Sequence, residues 1–314
     1  MDIHNPKGTK TPAPHGHPGK ADNSPSHAGS DHVHRVLSDS WLGDDGEKIH
    51  YAESGSGRPP IVMLHGWTSS HQEWFPFIPA LSAHHQVWRW DARGHGGHAL
   101  TRPAAPTVTR MARDLHNLLE QADLEQVVAV GHSMGALTLW QYLKDYGCER
   151  IGKLCLIDQS PKLVTGPDWP YGIYGDFDAT RSARFIEDLR QDFPESVLRL
   201  GALGLNQRAR QKYEENAKGW AKARSFLETL QPGPLIQCWQ SLTEADYREV
   251  LERIPVPALL IFGGQSNFYR ADTAHFVAEK IPNAQLHIYE GTDHSPHQWQ
   301  RERFVADLLA FIQA

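Results

Sequence analysis

The chain is expected to fold as an α/β protein: a mostly parallel eight-stranded sheet flanked by helices, with a helical cap inserted late in the sheet. Three observations lead there. Short apolar runs recur along the chain, each ending in a polar or turn-forming residue. Helix-patterned stretches separate them, and strands alternating with helices wind into a parallel sheet. One interval, from Ser160 to about Leu251, is charged, helix-prone and studded with aromatics, without strand rhythm.

Residues 1 to about 34 stand apart. They are rich in Pro, Gly, Ser, Asn and His and nearly lack large apolar side chains. Such a segment cannot bury enough surface to offset its ordering entropy, so a flexible tail is expected. It carries His4, His15, His17, His27, His32 and His34, and a solvated low-complexity extension accounts for these better than a metal site. Val36 to Leu42 and Lys48 to Glu53 flank Gly43-Asp44-Asp45-Gly46 and read as a hairpin.

Further strands are expected at Ile61 to Leu64, Val87 to Trp90, Val127 to Val130, Leu154 to Ile157, Leu259 to Phe262 and Leu286 to Tyr289. Their continuous apolar character suits strands covered on both faces. Met111 to Ala122, Leu137 to Tyr146 and Phe304 to Ile312 show helical spacing. The resulting division is a tail at 1–34, a core at 35–160 and 252–314, and a cap at 161–251.

Composition narrows the function. The chain has 314 residues with 40% hydrophobic and 22% charged residues, ordinary for a globular protein. A net charge of −6 gives no reason to expect nucleic acid, and no polybasic patch suggests a membrane surface. Cys148, Cys155 and Cys238 form no CxxC pattern, so reduced thiols and a cytoplasmic setting are expected. No apolar run approaches the roughly 20 residues of a membrane helix, and no signal-peptide h-region is visible.

Gly131-His132-Ser133-Met134-Gly135 follows an apolar strand and precedes a helical run. This is the context a nucleophile elbow needs: a serine on a tight strand-to-helix turn, with small flanking residues that let strand and helix approach. Main-chain N–H groups at the start of that helix suit an oxyanion. His65-Gly66-Trp67 closes the strand at Ile61 to Leu64, so the amides of Trp67 and Met134 are the expected pair of oxyanion donors. His294, in the loop after the last strand, is the expected base, with His297 as its rival.

On these residues the chain resembles the α/β-hydrolase superfamily over 36–314, in the look of esterases, lactonases and perhydrolase-type enzymes with a small helical cap. Asp91-Ala92-Arg93-Gly94-His95-Gly96 resembles the superfamily's turn after the fourth strand, and Ser70 to Trp74 the helix after the oxyanion loop. The resemblance implies an acid a few residues past a Gly after the seventh strand, but Gly263-Gly264-Gln265-Ser266-Asn267 holds no carboxylate there. Some branches place the acid after the sixth strand, where Asp158 stands. The expected set is therefore Ser133, His294 and Asp158, with Asp272 as fallback; Asp293 is badly placed to bond its neighbour's ring.

A serine at the elbow sets the chain apart from relatives that use Asp there, the haloalkane dehalogenases and epoxide hydrolases. Hydrolysis of a small to medium ester or lactone through an acyl-enzyme is expected, with no cofactor and no metal. Trp67, His132, Trp169 and Tyr171 are the expected substrate contacts, with Trp220, Phe226 and Trp239 further along the cap. Two alternatives stay open: a cofactor-free dioxygenase of N-heteroaromatic substrates, which shares His-Gly-Trp and the acid position, and a ligand-binding homologue without catalysis. The expected partner is a small-molecule substrate, with a homodimer left as an option.

Overall fold

A computed structural model of the protein describes residues 39–314. The expectations placed on the tail, and on Val36 to Ser38 of the first strand, lie outside the described residues.

Eight strands form one sheet in the order β1-β2-β4-β3-β5-β6-β7-β8. They are β1 (Asp39–Leu42), β2 (Lys48–Ser54), β3 (Ile61–Leu64), β4 (Val87–Asp91), β5 (Val127–His132), β6 (Ile151–Ile157), β7 (Ala258–Gly263) and β8 (Ala284–Tyr289). β1 and β2 are an antiparallel hairpin whose second strand pairs antiparallel with β4. All other pairs are parallel. The apolar runs divide by residue parity, as the two-residue period of a strand requires. On β3, Val62 and Leu64 join the larger core, while Ile61 and Met63 join a second core beneath Trp74, Phe77 and Phe304.

The helices cover both faces. A 3-10 segment at His71–Phe77 runs into α1 (Ile78–Leu81); α2 (Val108–Gln121) and α3 (Met134–Tyr146) follow. The segment after the His65-Gly66-Trp67 loop is thus mostly 3-10, with Pro76 inside it. α2 begins three residues before the expected Met111 because Thr107 caps it, its side chain accepting from the Arg110 amide. α3 is buried at every position from Met134 to Leu143, as suits a helix pressed between the sheet and the segments packed over it.

Between β6 and β7 lie α4 (Ala179–Gln191), α5 (Phe193–Ala202), α6 (Gln207–Glu214), α7 (Lys218–Leu227), α8 (Pro232–Glu244) and α9 (Arg248–Leu251). Asp178, Asp192 and Asn206 cap α4, α5 and α6 with their side chains. α8 lies against the core: Ser241 Oγ accepts from the Val108 amide at 3.0 Å, and Cys238 Sγ is 3.5 Å from Met134 Sδ. α10 (Ala271–Lys280), α11 (Pro296–Trp299) and α12 (Arg301–Gln313) complete the fold. Among the described residues no helix is long and apolar enough to cross a membrane.

The strand order reverses between β3 and β5, whose ends are in register at Leu64 and Gly131. In open parallel sheets this switch point leaves a crevice beyond the carboxyl ends of the strands. It lies between the His65-Gly66-Trp67 loop and the Ser133 turn.

Candidate active site

Ser133 follows β5 with φ 51° and ψ −116°, a conformation that a residue with a Cβ rarely adopts. Holding it costs on the order of 1–3 kcal/mol, supplied by the surrounding packing. The flanking glycines allow it. A Cβ on Gly131 would lie 2.6 Å from the Gly135 carbonyl carbon, and one on Gly135 would lie 2.2 Å from the Leu64 carbonyl oxygen. The Ser133 amide donates to Ile157 of β6 at 3.1 Å, which fixes the turn against the neighbouring strand.

Asp158 directly follows β6 and is fully buried. Its Oδ2 lies 2.6 Å from His294 Nδ1. The same oxygen accepts from Ser266 Oγ at 2.7 Å, and Oδ1 accepts from the Gly263 amide at 2.9 Å. The Asn267 side-chain oxygen accepts from the His294 amide at 3.1 Å. The two residues that stand where the resemblance implied an acid therefore hold this pair in place: Ser266 bonds Asp158, and Asn267 bonds the His294 amide. Phe268 packs edge-on to the His294 ring at 4.4 Å between centroids. Burial pushes the His294 imidazole below its ordinary value, and the hydrogen bond and charge of Asp158 oppose that shift.

His65 is fully buried and anchors the loop at the other rim. Its Nε2 accepts from the Ala92 amide at 3.0 Å, and its Nδ1 donates to the Gly66 carbonyl at 2.8 Å. Burial lowers its pKa, in keeping with this neutral form. The Asp91-to-Gly96 turn is structural: Asp91 bonds His71 and His98, and Arg93 bridges Asp45 and Asp114.

One cavity of about 560 Å³ opens on this crevice. Gly66, Trp67, His132, Ser133, Met134 and His294 line it, so five of the expected site residues share one space. Trp239 and Leu242 of α8, Ile173, Leu200 and Phe268 add apolar wall. Trp67 is tied to α8: its Nε1 donates to the Leu235 carbonyl at 2.9 Å, and its ring meets Trp239 at 4.6 Å.

Other expected residues lie elsewhere. Trp169 and Tyr171 do not reach the cavity. Trp169 is 2% exposed, donates to the Lys162 carbonyl and packs edge-on against Phe276, while Tyr171 stacks on the same ring. They pack the start of the inserted segment onto α10, where Trp169 is buried and Tyr171 half-buried. Trp220 and Phe226 are also absent from the lining. Asp272 lies in the first turn of α10, and Asp293 bonds the Ser295 amide. His297, the rival base, is fully buried with its Nε2 3.0 Å from Glu73 Oε1, and burial pushes it down to about 4.

Glu73 is the polar residue here that sequence reasoning missed, since a glutamate in a helix-like stretch carries no signal of its own. Its Oε2 accepts from the Gly66 amide at 3.0 Å, and its Oε1 lies 2.6 Å from His132 Nδ1. Among the described residues Glu73, His132 and His297 are the one group with donor atoms close enough for a metal. Two ligands of one tetrahedral zinc stand about 3.3 Å apart, so the 2.6 Å contact fits an ion pair better.

Comparison with known proteins places this geometry. Residues 59–300 match the model of the alpha/beta hydrolase fold. A non-heme chloroperoxidase of Kitasatospora aureofaciens is 30% identical over 274 residues, covering 85% of this chain and 97% of that protein. A pimeloyl-[acyl-carrier protein] methyl ester esterase of Aromatoleum aromaticum is 30% identical over 244 residues, covering 76% and 92%. Among solved structures, a bromoperoxidase from Bacillus anthracis superposes with TM-score 0.74 at 25% identity, covering 88% of this chain and 100% of that one. An esterase from Exiguobacterium antarcticum gives 0.73 at 24% identity, covering 87% and 98%, a likeness of fold. With its eight-stranded sheet and serine turn at the switch point, the chain belongs to the α/β-hydrolase family.

Proposed function

We propose that this protein is a serine hydrolase that cleaves small to medium carboxylic esters or lactones through an acyl-enzyme. The observation that carries the reading is the 2.6 Å contact between His294 Nδ1 and Asp158 Oδ2, with His294 and Ser133 lining the same cavity. A methyl ester esterase among the relatives supports it.

In this reading His294 Nε2 takes the Ser133 hydroxyl proton as Oγ attacks the carbonyl carbon. Asp158 orients the ring and stabilises the imidazolium. The amides of Trp67 and Met134 hold the developing oxyanion. The tetrahedral intermediate collapses, and His294 returns its proton to the departing alkoxide. Water, deprotonated by the same nitrogen, then releases the acid and frees Ser133. A cavity of about 560 Å³ with a mainly apolar wall suits a compact hydrophobic acyl group.

The test is hydrolysis of p-nitrophenyl acetate with labelling by a fluorophosphonate. Turnover and a label on Ser133 support the reading; neither in folded protein overturns it. The names of the haloperoxidase relatives favour a second use of the same acyl-enzyme, attack by hydrogen peroxide to give a peracid. Peroxide-dependent bromide oxidation in acetate buffer tests that branch. The paired His294 and Asp158 also suit proton abstraction from a hydroxyquinolone, so oxygen uptake with that substrate and no labelling of Ser133 would favour the dioxygenase.

A further inference from the structure

We propose that Glu73 is a positioning residue for this site: its buried carboxylate holds the Gly66 amide with one oxygen and His132 with the other, and so aligns the oxyanion loop with the Ser133 turn. The inference rests on the serine-hydrolase reading above and extends it to a residue outside the Ser133, His294 and Asp158 set.

Three segments meet at this side chain, which is only 7% exposed. The oxyanion loop bonds it through the Gly66 amide at 3.0 Å. The elbow meets it through His132, the residue directly before Ser133, at 2.6 Å. α11 meets it through His297 Nε2 at 3.0 Å, and Gln298 Nε2 bonds the Glu73 carbonyl at 2.6 Å. His132 carries the connection on: its Nε2 donates to the His294 carbonyl at 2.9 Å. One carboxylate thus touches, directly or through one ring, the loop offering the oxyanion donor, the turn bearing the alcohol and the loop bearing the base. The loops are close-packed here, since a Cβ on Gly66 would lie 3.1 Å from His132 Nδ1 and 3.5 Å from Ser133 Cβ.

Charge holds the arrangement. Burial alone would raise the Glu73 carboxyl, but the charge of His132 and the contacts with His132 and His297 hold it well below the usual range. Burial would lower His132, but the Glu73 carboxylate 2.6 Å away, then the His294 carbonyl, raise it instead. The contact therefore reads as a buried ion pair, and removing one partner drives the other toward its neutral form, since burial disfavours a charge left alone. The groups facing His132 are Glu73, His297, His294 and Asp158; those facing His294 are Asp158, His132, Asp293 and Tyr269. The charge on His132 is one of the causes that lower His294.

The test compares Glu73→Gln, which keeps the shape and loses the charge, with His132→Gln, which removes the cation and keeps an N–H donor. Ser133→Ala runs alongside, and each variant is checked by thermal melting. Glu73→Gln is expected to lower kcat about tenfold with KM little changed. In both glutamine variants the acid limb of kcat/KM should move to higher pH, because an uncharged residue 132 no longer depresses His294. A general loss of packing would lower activity and Tm without moving that limb. An unmoved limb in both folded variants, or an unchanged kcat in Glu73→Gln beside an inactive Ser133→Ala, overturns the role of Glu73. Full turnover by Ser133→Ala overturns the serine-hydrolase reading itself.

Discussion

Asp158 and His294 are separated by 136 positions of chain and meet at 2.6 Å, the aspartate at the buried end of β6 and the histidine in the loop after β8. Two sequence departures make room for this pair. Ser266 and Asn267 occupy the loop where an acid was implied, and each donates to or accepts from a member of the pair.

Neutralising that acid is the sharpest check on the assignment. Asp158→Asn should reduce kcat by about 10⁴, as when a triad acid loses its charge and the base its correct tautomer. Asp272→Asn should leave kcat within about twofold, since Asp272 lies in the first turn of α10. Steady-state kinetics on both variants decide it; the reverse pattern would transfer the role to Asp272.

Replacing the alcohol isolates chemistry from folding. Ser133→Ala should lose ester turnover by at least about 10³-fold. The melting temperature should stay the same or rise slightly, because the strained backbone at φ 51° is set by its neighbours rather than by the hydroxyl. A fluorophosphonate label that persists on this variant would place the nucleophile elsewhere.

The pH dependence follows from His294. On the proposed mechanism its neutral form accepts the proton, so activity rises as pH climbs through its pKa. Burial lowers that pKa below the ordinary 6.5. The acid limb of kcat/KM should therefore have its midpoint below 6.5, and activity should be near its plateau at neutral pH. A midpoint at or above 6.5 in a profile free of acid unfolding would contradict this.

The elbow glycine tests the packing. Gly135→Ala places a Cβ 2.2 Å from the Leu64 carbonyl oxygen, a backbone atom that cannot swing aside. The variant should lose about 1–3 kcal/mol or more of stability, read as a drop in Tm or in soluble yield. A variant as stable as wild type would mean that β3 and α3 do not approach as described.

Two tryptophans separate recognition from packing. Trp67→Phe removes the Nε1 donor to Leu235 and reshapes the cavity wall, so KM should change for bulky acyl groups. Trp169→Phe should lower stability and leave KM unchanged, because Trp169 packs against Phe276 away from the cavity. Measuring KM across an acyl-length series on both variants distinguishes the two roles.

Much of this molecule was readable from local pattern. Apolar runs bounded by turn residues located the strands, because a strand covered on both faces must be apolar throughout. Glycines two residues either side of a serine marked the elbow, because only a residue without a Cβ fits between strand and helix. The charge pattern of the segment before Leu251 marked the helical insertion. Element ends drifted where a cap decided them, as Thr107 does for α2.

What remained belongs to contacts between distant segments. Trp169 and Tyr171 have the composition of pocket residues, yet whether an aromatic faces a cavity or a neighbouring helix depends on which helix lies beside it. Glu73 carries no local signal, because its meaning comes from Gly66, His132 and His297 converging on it. Sequence by itself determined the order of the elements and the backbone demands of each turn, since those are set by neighbours along the chain. Only the tertiary structure decided which carboxylate serves His294 and which rings line the cavity, since burial and proximity are properties of the packed sheet.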